Sequence, residues 1–254
     1  MLIRFDGRTA IVAGAARGIG QTIARSLARD GARVIACDLL VDELAAIAGQ
    51  VDGGGEIIAG KVDVSDENSI RQVVRAAGLI DILVYVAGGV RGQRSQPLEE
   101  VNADDFDAIV DVNLKGAFLF AKAVAPGMKK RGGRIVTISS RASFATSLTG
   151  IQSYAAAKHG QVGLVKQIAQ ELGPFGITVN SVAPGFMRTS PDYERQWNDW
   201  PAAFRDNFLD TIAMRRIGRA TGRRQCRDLP RLRPRLVDHR PDHSGDRQSA
   251  AVST

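Results

Sequence analysis

The chain has 254 residues, 44% hydrophobic and 24% charged, with a formal net charge of +7. That balance suits a globular core that stands without staples, and it excludes a disordered or low-complexity chain. The charge is uneven: Gly222 to Thr254 holds eight arginines against four aspartates, so the basic character belongs mainly to the tail and gives the body no reason to bind nucleic acid.

The cysteines, Cys37 and Cys226, are far apart and form no metal or redox spacing, so no metal site is expected and a reducing cytoplasm suits the chain. The start, "MLIRFDGRTAIVAG", carries charge within its first apolar segment and makes a poor signal peptide. No apolar run approaches the ~18 residues that a membrane span needs. The expectation is a soluble cytoplasmic protein without nucleic-acid or membrane partners.

In chain order, "RTAIVAGAARGIG" is a β-branched run breaking into glycines, and "QTIARSLARDGA" has helical spacing. "ARVIACD" and "VDELAAIAG" repeat the strand–helix pair, as do "EIIAGKVDV" and "DENSIRQVVRAAG". "IDILVYVAGG" is a fourth strand, followed by a long helical region from about Ala103 to Lys130. "GGRIVTISS", "SYAAAKHGQVGLVKQIAQELG" and "GITVNSVAPG" add a fifth strand, a helix and a sixth strand. Continuous apolar strands separated by helices predict a Rossmann-type α/β fold: a doubly wound parallel sheet in three layers. Ligands in such sheets bind at the carboxyl ends of the strands, where the unusual clusters of this sequence fall.

Gly14, Gly18 and Gly20 stand at the first strand-to-helix junction, where the backbone must turn tightly and a pyrophosphate can rest on a helix N-terminus. Asp38 ends the second strand, eighteen residues past Gly20. A carboxylate there accepts hydrogen bonds from ribose hydroxyls and repels a 2′-phosphate, which favours NAD. NADP stays open, because Arg17 and Arg33 soften the discrimination. Tyr154 and Lys158 share one helical face, where an ammonium favours the phenolate of a neighbouring phenol. Ser140 lies fourteen residues upstream at the end of the fifth strand.

Together these pieces resemble the short-chain dehydrogenase/reductase family from about Arg4 to Gly218. The motifs are "GAARGIG", Asp63-Val64, Ala87-Gly88-Gly89, Asn113 in "DVNLKG", Ser140 in "TISS", "YAAAK", and "PGFMRT" from Pro184 to Thr189. The resemblance implies an NAD(P)-dependent enzyme acting on a small secondary alcohol or ketone such as a sugar or polyol, with 3-oxoacyl thioester reduction as the alternative. It implies Tyr154 as general acid/base, Lys158 lowering the Tyr pKa and holding the nicotinamide ribose, Ser140 polarising the substrate oxygen, and Asn113 holding a relay water. Gly14, Arg17, Gly18, Ile19 and Gly20 would cradle the pyrophosphate, Asp63 and Val64 would contact adenine, and Thr189, beyond Pro184 and Gly185, would bind the carboxamide. Ser139 and Ser143 are the alternatives to Ser140.

The family's usual Asn-Asn-Ala-Gly stands here as Tyr85-Val86-Ala87-Gly88, which puts a sheet brace in question. Residues 186–216 would form a lid over the substrate. Its Tyr193, Trp197, Trp200, Phe204 and Phe208 are spaced as one helical face or a helix pair, packing on the body and in part lining the pocket.

The resemblance covers a domain of residues 1–220. The family's seventh strand is missing from residues 221–254, and a homo-oligomer, dimer or tetramer, is expected only with that terminus intact. Read one base later, Arg223 onward permits A-A-N-A-V-T-F-L-A-S-D-L-A-S-S and Asp238 onward permits T-T-G-Q-T-I-R-V-T, which together spell a plausible family terminus. The expectation is a displaced reading frame from about Thr221. A second class of function, a non-catalytic dinucleotide-binding module with a basic interaction tail, would show salt-dependent nucleic-acid affinity lost on deleting the tail.

Overall fold

The computed structural model describes residues 3–218. The tail beyond, with the displaced-frame and missing-strand expectations, lies outside the described residues. The strands are β1 (Thr9–Ala13), β2 (Arg33–Asp38), β3 (Gly49–Gln50), β4 (Glu56–Lys61), β5 (Ile82–Tyr85), β6 (Gly133–Ile138) and β7 (Ile177–Val182). The helices are α1 (Gly18–Arg29), α2 (Val41–Ala45), α3 (Glu67–Ala77), α4 (Ala103–Val110), α5 (Gly116–Met128), α6 (Gln152–Leu172), α7 (Pro191–Asp199) and α8 (Ala202–Asp210). The sheet runs β3-β4-β2-β1-β5-β6-β7, with every pair parallel except β3 with β4. The order reverses between β1 and β5, so their carboxyl ends open a crevice.

Alternation along β1 sorts the core into two layers. Ile11 and Ala13 face a cluster with Phe120, Leu119 and Val165 from α5 and α6, while Ala10 and Val12 face Ala24 and Ala28 of α1. The alanines let α1 lie close to the strands. Registered partners of a parallel pair share a face, so the α1 side continues through Ile82 and Val84 to Arg134, Val136, Thr178, Asn180 and Val182. Arg134, Thr178 and Val182 are exposed there.

Three local features depart from the expectation. The second helix is one turn long, and the tight turn after it, with Val51 N donating to Gly55 O, pairs the β3 stub antiparallel to β4. The long helix from Ala103 is broken by a π-turn at Asp111–Lys115 that carries Asn113. Tyr85 supplies a brace of its own. Wholly buried against Phe120, its hydroxyl donates to Val112 O at 2.7 Å and so ties β5 to the π-turn. Gly116 makes room, since a side chain there would overlap the Tyr85 hydroxyl. Tyr85→Phe should therefore lower unfolding free energy by about 0.5–1.5 kcal/mol, the usual net worth of one hydrogen bond. Urea denaturation checks this, and an unchanged midpoint would refute the brace.

Candidate active site

One cavity of about 470 Å³ lies at the carboxyl ends of the strands. The residues singled out for chemistry or cofactor line it except Gly20, Arg33, Asn113 and the alternative Ser143. Gly20 sits behind the turn, where a Cβ would overlap the Gly14 carbonyl, so its task is close packing of α1.

The glycine turn is shaped for close approach. Gly14 and Gly18 have φ of +83° and +55°. A Cβ on Gly14 would lie 2.5 Å from Ala87 N, and one on Gly18 would lie 2.6 Å from Thr189 O. Helix α1 starts at Gly18, and the preceding Arg17 provides no side-chain cap; its first turn has no acid, so its leading amides keep their capacity for an anion. Ile19 lines the cavity beside them.

Asp38 is held by backbone: Oδ2 accepts from Ala16 N at 3.0 Å and Oδ1 from Leu40 N at 3.3 Å. Each oxygen keeps a second lone pair for a ligand hydroxyl. The Arg17 guanidinium, the cation nearest in sequence to this turn, is paired with Glu43 through two nitrogens. Arg17 also lines the cavity beside the glycine turn. Asp63 turns its carboxylate onto Ser65, whose hydroxyl and amide hold it below the usual carboxylate range. Val64 lines the cavity beside it. Cys37 is buried on β2, and burial, then the charge of Asp38, pushes its thiol up to about 12, leaving it inert.

Helix α6 presents Tyr154, Ala157, Lys158, Gln161 and Val165 along one buried face. Lys158 is buried with Nζ donating to Ile138 O at 3.0 Å and lying 5.8 Å from the Tyr154 ring centroid. Burial lowers its pKa to about 8. Ser140 caps a short turn at Arg141–Ser143: its Oγ accepts from Ala142 N at 3.1 Å, which leaves the hydroxyl proton to donate elsewhere. Ser139 Oγ donates to Val182 O, and Ser143 Oγ accepts from Ser140 N. Ser143 is buried and, unlike Ser139 and Ser140, does not line the cavity. His159 is exposed, with Nδ1 at 2.9 Å from Ala155 O on its own helix.

Asn113 works from behind the cavity wall. Its Nδ2 donates to Gly89 O and Ile109 O, both at 2.8 Å, and its Oδ1 accepts from Gly89 N at 3.0 Å. The amide staples the π-turn to the loop after β5, and Gly88 must lack a side chain to admit it. Its carbonyl accepts from Gln161 Nε2 at 3.2 Å. The sequence reading missed Gln161, a fully buried amide between Ala157 and Val165. A polar residue at a core-facing helical position was the available signal.

Past β7, Arg141 N donates to Pro184 O at 3.0 Å, and Thr189 closes over Gly18. The aromatic stripe gathers on Phe186, whose ring lies 5.0–5.9 Å from those of Tyr193, Trp197, Trp200 and Phe208. From the stripe only Tyr193 lines the cavity, so packing dominates. Among the described residues no group of acids, histidines and cysteines could hold a metal, and no helix is long and apolar enough to cross a membrane.

The profile of the short chain dehydrogenase family matches residues 8–200. The chain belongs to that family. It is 38% identical over 223 residues to oxidoreductase UcpA of Salmonella typhimurium, covering 84% of this chain and 83% of that one. It is 36% identical over 227 residues to the 3-oxoacyl-[acyl-carrier-protein] reductase FabG of Thermotoga maritima, covering 85% and 87%. Among solved structures, a 7α-hydroxysteroid dehydrogenase complexed with NADH and 7-oxo glycochenodeoxycholic acid superposes with a TM-score of 0.77 at 30% identity, covering 86% and 85%. The chain is an oxidoreductase of this family, and its sheet, crevice and glycine turn form the nucleotide-binding fold expected of one.

Proposed function

We propose that the chain interconverts a small secondary alcohol, of sugar or polyol type, and its ketone, using NAD in preference to NADP. The convergence of Ser140, Tyr154 and Lys158 in the cavity that also holds the glycine turn and Asp38 carries this reading. The residues fit a dinucleotide: a cradle that any Cβ would fill, uncapped helix amides, and a carboxylate with lone pairs to spare. The bound nicotinamide supplies the hydride chemistry. Gly14, Gly18 and Ile19 hold the pyrophosphate, Asp38 the adenosine ribose, Asp63 and Val64 the adenine, and Ala87, Gly88, Pro184, Gly185 and Thr189 the nicotinamide end.

Tyr154 takes the substrate hydroxyl proton in oxidation and returns it in reduction. Ser140 donates its free proton to the same substrate oxygen. Lys158 uses its remaining N–H groups on the nicotinamide ribose. Asn113 acts through the backbone that it staples. Cofactor reduction by a panel of polyols and secondary alcohols tests the reading, and silence across that panel and a 3-oxoacyl thioester panel would sink it. Turnover of thioesters alone would favour the second reading, supported by the likeness to the Thermotoga reductase. A homo-oligomer belongs to the same proposal.

Asp38 and Glu43 set the cofactor preference. Asp38 would meet a 2′-phosphate with like charge, and Glu43 occupies the guanidinium that could neutralise it. Asp38→Ser should tighten NADPH relative to NADH by about tenfold, one like-charge contact of ~1.4 kcal/mol. Fluorescence titration with the two reduced cofactors reads it, and an unchanged ratio contradicts the assignment.

A further inference from the structure

The catalytic phenol has a second phenol beside it. Helix α7 opens with Ser190, whose Oγ accepts from Tyr193 N at 3.4 Å, and with Pro191 in its first turn. This places Tyr193 on the cavity side, with its hydroxyl 3.3 Å from that of Tyr154. The Phe186 ring meets Tyr193 edge-on at 5.7 Å and fixes its plane. Two further bonds fasten the helix over the cavity: Gln196 Nε2 donates to Leu148 O at 2.8 Å, and Gly92 N donates to Asp192 Oδ2 at 3.3 Å.

When two phenols share a hydrogen bond, the one that ionises accepts and the other donates. Burial, and then the neighbouring Tyr154, push the ionisation of Tyr193 well above the ordinary phenol range. At 3.3 Å either hydroxyl can donate to the other, and the raised ionisation of Tyr193 favours it as the donor. A hydrogen bond to a charged acceptor is about twice as strong as one between neutral groups. The charged groups around the pair are few. Lys158 stands on the helix of Tyr154, Asp192 stands beside Tyr193 and is paired with Arg195 at 2.7 Å, and Arg91 and Arg141 line the same cavity from two loops.

We infer that Tyr193 is a positioning residue for Tyr154: from the docked α7 it donates a hydrogen bond that holds the Tyr154 phenolate, so that docking of this helix sets the base form. The inference rests on Tyr154 being the acid/base group. Tyr193 keeps its proton throughout. The substrate hydroxyl proton passes to the Tyr154 oxygen in oxidation and back in reduction, and the Tyr193 bond strengthens when that oxygen is negative.

The chain holds three tyrosines, Tyr85, Tyr154 and Tyr193, which makes a direct test available. Burial pushes both Tyr85 and Tyr193 up, and in an ultraviolet difference titration of the full chain, free of cofactor, loss of the first ionisation in Tyr154→Phe assigns that step to Tyr154. Tyr193→Phe keeps the ring against Phe186 and removes the donor. It should move that first ionisation upward by about one pH unit, the size of a hydrogen bond to a charged group. Gln196→Ala leaves both phenols in place and loosens α7, and should move it the same way by less. The acid limb of the alcohol-oxidation pH profile should follow in both variants. A first ionisation unmoved in both variants overturns the proposal, as does one moving downward in Tyr193→Phe. The titration needs no substrate, so silence of the alcohol panel sinks the functional reading alone, whereas an unmoved titration in an active enzyme sinks this one alone.

Discussion

Tyr154→Phe should lower kcat/KM for the alcohol by about 10²–10⁴-fold, the usual worth of a positioned acid/base group. The change removes one oxygen and little else. The ring lies in a small apolar cluster with Val90, Ile109, Ala142 and Ile151, all of which Phe preserves. The glycine turn, Asp38 and Lys158 are untouched, so NADH should still bind with nearly the wild-type affinity. That contrast separates a chemical role from a structural one, because a packing defect would weaken both. Ser140 and Tyr193 remain as donors near the substrate oxygen, yet neither can replace the lost base. Ser140 already spends its oxygen on Ala142 N, and Tyr193 is buried in a way that opposes its ionisation. Steady-state kinetics with the best alcohol of the panel, beside fluorescence titration of NADH, decides it. A variant that turns over at the wild-type rate would dismiss Tyr154 as the acid/base group.

Much of this site is legible in the sequence because its motifs are local. A glycine turn between an apolar strand and an amphipathic helix, an acid at the next strand end, and Tyr154 one helical turn before Lys158 each declare a geometry within a few residues. The three-layer parallel sheet follows from the same local alternation. What stays hidden depends on contacts between distant segments. "DVNLKG" contains no helix breaker before its glycine, and nothing within it announces a π-turn. The turn is sustained in part by Tyr85 on Val112 O and Gln161 on Asn113 O, donors 27 and 48 residues away in sequence. Tyr85 reads as a departure from the family pattern, and only the fold shows that its longer reach finds a different acceptor. The aromatic spacing after β7 does foretell helices. Pro201 divides them at Trp200, and Phe186, outside the stripe, is the ring around which they gather.

Lys158→Met should abolish most activity and yet leave the protein at least as stable at neutral pH. The Lys158 side chain is buried, its ammonium donates to one carbonyl, Ile138 O, and among the described residues it makes no ion pair with a carboxylate. Its pKa falls from the ordinary lysine value of 10.5 to about 8. A folded-state value below the unfolded one means that the folded chain binds fewer protons between those limits, so stability rises as pH climbs from about 8 to about 10.5. Below about pH 8 both states are charged, and the whole cost of burying the charge, about 3 kcal/mol at ~1.4 kcal/mol per pH unit, is present. Methionine removes that cost, offset by about 1–3 kcal/mol for leaving Ile138 O without its donor. Urea denaturation at neutral and at alkaline pH should therefore show the variant's relative stability falling as pH rises. A variant clearly weaker than wild type at neutral pH, or a difference independent of pH, would show that Lys158 contributes to the fold. The expected outcome marks Lys158 as a residue kept at the expense of stability, its charge buried in the cavity wall beside Tyr154 where only the chemistry requires it.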